Sequence, residues 1–82
     1  MQDQPNETVA EHALRTEQTI LILLLTKGQN IWSVEELVSE IGRRLDVINS
    51  LAALHAAGLI HRCNDFVLPT RAAVRFDEIG LH

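Results

Sequence analysis

The chain has 82 residues, enough for one domain at most, and a chain of this size buries only about 60 to 65% of its extended surface. Apolar residues make up 46% and charged residues 22%, a balance that excludes intrinsic disorder, and the longest apolar run, residues 20–25, is far short of the roughly 18 residues that span a membrane. The formal net charge of −4 disfavours strong indiscriminate nucleic-acid binding, because that affinity comes from Lys and Arg displacing counterions from phosphates.

The charge is unevenly spread. Residues 1–42 hold seven acids against Arg15 and Lys27, whereas residues 43–82 hold five Arg against Asp46, Asp65, Asp77 and Glu78. Any contact with DNA is therefore expected from the second half. The polar start has neither the basic beginning nor the apolar centre of a secretory signal, and a lone Cys63 excludes an internal disulfide and fits a reducing compartment, so a cytoplasmic location is expected.

Residues 1–7 have no periodicity and contain Pro5, and they are expected to form a flexible arm ahead of one domain over residues 8–82. Thr8 and Glu11 have capping-box spacing and open a long helix over residues 9–27, with Ala10, Leu14, Leu21 and Leu25 as its inward stripe and Gly28 as its stop. Residues 20–25 are apolar on every side, and a small domain covers only one stripe of a helix. Ile22 and Leu23 are then surplus, to be covered either by an extended tail or by a subunit interface, of which the interface is favoured.

Residues 30–32 suit a short edge strand. Ser33 and Glu36 form a second capping box, opening a short helix whose Val34, Leu37, Val38 and Ile41 repeat at helical spacing until Gly42. After a turn at Gly42, Arg43 and Arg44, a helix over about residues 43–57 carries Val47, Leu51 and Leu54 inward and ends at Gly58. Residues 59–63 and 66–68 read as two strands joined by Asn64 and Asp65, which tolerate the positive backbone angles of a tight turn. Pro69 ends the second strand, and Thr70 caps a final helix with Ala73, Val74 and Phe76 on its apolar side.

The expected class is thus α+β, mainly helical with a small hairpin. The order of elements, and in particular Val47, Leu51 and Leu54 followed by Gly58, Leu59, Ile60 and Arg62, resembles the winged helix-turn-helix domain of bacterial transcription regulators. The resemblance covers residues 33–70 and implies a three-helix core, a wing at about residues 59–68, a C-terminal helix and a DNA-reading helix at about residues 43–57. It further implies that Arg43, Arg44 and Asn49 face base edges and phosphates and that Arg62 reaches the DNA from the start of the wing. Two residues depart from the pattern: Asp46 repels phosphate unless a local partner takes it up, and Ile48 offers only apolar contact. The turn after Gly42 is also one residue shorter than usual.

These residues point to a small regulator that binds double-stranded DNA as a homodimer, paired through Leu14, Ile22, Leu23 and Phe76. The alternative is a winged-helix module that docks a protein partner through Ile48, Ala52 and Ala56. No enzyme, cofactor or metal is expected: no Ser-His-Asp order, phosphate loop or catalytic carboxylate pair is present, and His55, His61 and Cys63 are too few for a metal site.

Overall fold

The computed structural model describes residues 8–26 and 31–79; Gly28, Asn30 and the N-terminal arm lie outside them. The elements run α1 (Val9–Thr26), β1 (Trp32–Ser33), α2 (Val34–Ile41), α3 (Arg44–Ala56), β2 (Ile60–Cys63), β3 (Phe66–Pro69) and α4 (Arg71–Ile79). Four helices and a three-stranded antiparallel sheet of order β1-β3-β2 make the domain mainly helical, of class α+β.

Local chemistry sets most of the boundaries. The Thr8 hydroxyl accepts from the Glu11 amide at 3.0 Å while the Glu11 carboxylate accepts from the Thr8 amide at 2.9 Å, satisfying two donors that the start of α1 would otherwise leave open. Ser33 and Glu36 do the same for α2 at 3.0 and 2.8 Å. Gly42, at φ 92°, ends α2 in the left-handed region, and its amide donates to the Val38 carbonyl. Gly58, at φ 77°, turns the chain out of α3, and Asn64, at φ 57°, makes the tight turn between β2 and β3.

The core is built around α3. Val47, Leu51 and Leu54 are fully or almost fully buried, together with Ile20 and Leu24 of α1, Leu37 of α2, Trp32 of β1, Ile60 of β2 and Val67 of β3. Thr70 locks the far side: its hydroxyl donates to the Gly58 carbonyl at 2.8 Å and accepts from the Ala73 amide at 3.3 Å, joining the end of α3 to the start of α4.

Three expectations need correction. The inward stripe of α1 is Thr16, Ile20 and Leu24; Ala10 and Leu14 are exposed, and Leu21 and Leu25 are half-buried. Thr16 is tolerated inside because its hydroxyl donates to the His12 carbonyl one turn back, at 3.1 Å. On α4 only Ala73 is buried, and Val74 and Phe76 face outward. Finally, the edge strand expected at residues 30–32 is Trp32–Ser33, and it joins the hairpin in one sheet. β1 pairs with β3, Trp32 opposite Val67 and Ser33 opposite Phe66, and the Val34 amide donates to the Asp65 carbonyl at 2.8 Å, tying the hairpin tip to the start of α2.

Two substitutions should separate pinned from free positions on α3. Leu51→Ala should cost about 2 to 5 kcal/mol in chemical denaturation, through lost transfer energy and a residual cavity, whereas Leu45→Ala, at a side chain 74% exposed, should change stability by less than about 0.5 kcal/mol. Gly58→Ala meets no steric neighbour but must hold a side chain at φ 77°, and should cost about 1 to 2 kcal/mol.

Candidate nucleic-acid interface

The side of α3 opposite the core is open. It carries Arg44, Leu45, Ile48, Asn49, Ala52 and Ala56, all exposed. Beside it, β2 exposes His61, Arg62 and Cys63. Of the residues expected to touch DNA, Asn49 and Arg62 are therefore exposed on adjoining elements. Arg62 stands opposite Val67 in the β2–β3 register, at the tied hairpin.

Arg43 and Arg44 are exposed too, but each is already engaged. Only Gly42 and Arg43 separate α2 from α3, so Arg44 is the first helical residue and not part of the turn. That tight junction brings the first turns of α2 and α3 together. Arg44 grips Glu35 with both prongs, Nη1 and Nη2 each donating at 2.9 Å to a separate carboxylate oxygen. The Arg44 hydrogen bonds hold Glu35 below the usual carboxylate range, and Glu35 in turn raises the guanidinium.

Asp46 is the junction of a second group. Its Oδ2 accepts from His12 Nε2 at 2.9 Å and from Arg43 Nη1 at 3.3 Å, so one carboxylate oxygen links the N-terminal half of α1 to the turn before α3. A carboxylate only accepts, so Nε2 is the ring nitrogen that carries hydrogen. The His12 hydrogen bond, followed by that of Arg43, holds Asp46 below its ordinary pKa. The departure noted at Asp46 in the sequence thus has local partners that take up its charge.

Sequence reasoning missed Glu35 and His12. It also omitted Leu45, the most exposed large apolar side chain of α3. A periodicity search finds Leu45 only if the outer side of the helix is scanned for apolar residues as well. Glu35 lies nine residues from Arg44 and His12 lies 34 from Asp46, beyond the reach of local spacing rules.

Of the expected pairing residues, Leu14, Ile22 and Phe76 are each more than half exposed, while Leu23 is half-buried against the core. Phe76 lines a groove of about 430 Å³ between α1 and α4 with Gln18, Leu21, Leu25 and Leu59; Leu14 and Ile22 lie outside that lining. Cys63 is an exposed thiol. Among the described residues no three His, Cys, Asp or Glu side chains gather where they could hold a metal ion, and no helix is long and apolar enough to cross a membrane. Comparison with protein-family models, curated proteins and solved structures finds no match to the chain.

Both carboxylates have folded-state pKa values below their unfolded ones, so the stabilisation they bring is present above about pH 4 and is lost as pH falls through the folded values. In an NMR pH titration, Glu35 and Asp46 should titrate below ordinary Glu and Asp. Arg44→Ala should raise Glu35 back toward its ordinary value, and His12→Ala should raise Asp46, whose main hydrogen-bond partner is then gone. Unmoved midpoints in these variants would show that the pairs do not form in solution.

Proposed function

We propose that the chain is a winged-helix domain of the kind found in bacterial transcription regulators, acting in the cytoplasm, and that it binds double-stranded DNA as a homodimer through α3 and the β2–β3 hairpin. The observation that carries this is the seating of α3. One side is buried to the last side chain, the opposite side is exposed along its length, and Gly58 leads directly into a hairpin that exposes Arg62. A helix held this way presents a convex rod to a major groove about 12 Å wide, with the hairpin alongside it. Asn49 is suited to adenine, through paired hydrogen bonds to N6 and N7, and Arg62 to the adjoining backbone.

Pairing of two copies draws on the apolar surface of α1 and α4, where Leu14, Ile22 and Phe76 stand exposed. A two-fold dimer would place the two copies of α3 at half-sites about 34 Å apart.

A second reading has a specific observation behind it. The outer side of α3 also carries exposed apolar residues between Arg44 and Asn49 and beyond: Leu45 is 74% and Ile48 42% exposed, with Ala52 and Ala56 further on. Large apolar side chains grouped on an exposed surface mark a site where another molecule docks. On that reading the same surface docks a protein, and the arginines serve only their ion pairs.

Fluorescence anisotropy with a random-sequence duplex in low salt discriminates between the two. DNA docking predicts binding at tens of micromolar or better, weakened in Arg62→Ala with a salt dependence shallower by about 0.9 in log–log slope. Absence of binding at that concentration would shift the assignment to protein docking. Sedimentation of the pure chain, expected at twice the monomer mass, tests the dimer.

A further inference from the structure

We propose that Glu35 and Asp46 set how selectively this surface engages DNA, by occupying Arg44 and Arg43 as carboxylate stand-ins for backbone phosphate. The inference rests on the DNA-docking reading and adds to it two residues that would not touch DNA at all.

The geometry is that of a phosphate site already filled. A guanidinium grips a carboxylate and a phosphate through the same two-pronged hydrogen bonding, and the Arg44–Glu35 pair has that form, with two contacts of 2.9 Å. Arg43 is held by a single longer contact of 3.3 Å to an oxygen that His12 also engages. Glu35 lies in the first turn of α2 and Asp46 in the first turn of α3, so both carboxylates sit at helix starts, where the dipole favours a negative charge.

A backbone phosphate approaching either arginine must therefore displace a carboxylate, and the displaced carboxylate stays close by as a like charge. One ion pair is exchanged for another and little is gained. Non-specific affinity, which is built from such phosphate contacts, is suppressed. Contacts that require no exchange, such as those of Asn49 with a base edge, keep their full value. The consequence is a higher ratio of specific to non-specific binding, obtained in a chain whose second half is only slightly basic.

The test is anisotropy with a random-sequence duplex across a salt series, comparing wild type, E35Q, D46N, E35Q/D46N and a charge-matched control, E17Q/E78Q. Thermal melts confirm that each variant is folded. Removing two carboxylates should tighten binding of the random duplex by about tenfold at low salt and steepen the log–log salt slope by up to about 1.8, or about 0.9 for each freed arginine. Each single variant should supply part of the gain, and E17Q/E78Q much less than the double variant. Adding R43Q and R44Q to the double variant should abolish the gain. If wild type binds and E35Q/D46N binds no more tightly, or if E17Q/E78Q matches E35Q/D46N, the proposal is wrong while DNA docking stands. Absence of binding by wild type and E35Q/D46N alike would overturn DNA docking itself, and the proposal with it.

Discussion

Everything in this domain depends on the inner side of α3. Val47, Leu51 and Leu54 occupy the space between α1, α2 and the sheet, and α3 packs more extensively against α1 than against any other element. Burying an aliphatic side chain of this kind contributes about 1.5 to 3 kcal/mol. Three of them together are comparable to the whole net stability of about 5 to 15 kcal/mol available to a small domain. Without that seat, the glycine exit from α3 would have no fixed direction, and the hairpin would have no helix to lie against.

The seat also explains why the two surfaces of α3 behave so differently. The inner side is fixed by packing and leaves no room for a change of size. Beyond the Arg44–Glu35 contact, the outer side carries little structural duty other than helix propensity, which Leu45, Ala52 and Ala56 satisfy well. On the DNA-docking proposal its apolar residues are a low-cost filling around a few polar ones; on the alternative proposal they are the docking surface itself. The electrostatics pull in the same two directions. Two arginines stand at the start of the helix, yet Glu35 and Asp46 have already taken them up.

Much of the fold was legible from residue chemistry alone. The two capping boxes, the glycines at positions 42 and 58, and Asn64 at the hairpin turn each act within a few residues, so their spacing in the chain is their spacing in space. The inner side of α3 was legible for the same reason. The register of α1 was not: a Leu stripe looks more inward than one beginning with Thr16, and only the bond from the Thr16 hydroxyl to its own helix makes that residue acceptable inside. Nor was the third strand's pairing legible, since two residues show no alternation and their partner lies more than thirty positions on. The candidate interface was half legible. Residue type put forward Arg43, Arg44, Asn49 and Arg62, all of them exposed, but whether a charge is free or engaged is decided by tertiary neighbours, and His12 reaches Asp46 only because α1 packs on α3.

Native-state hydrogen exchange of the full chain, followed residue by residue, tests the dependence on α3 most directly. If the helix is the seat of the fold, the amides of Ser50, Leu51 and Leu54 should exchange last, together with that of Val67 in the central strand, and only through global unfolding. Exchange of the α3 amides by local opening, while α1 and α2 remain protected, would contradict it.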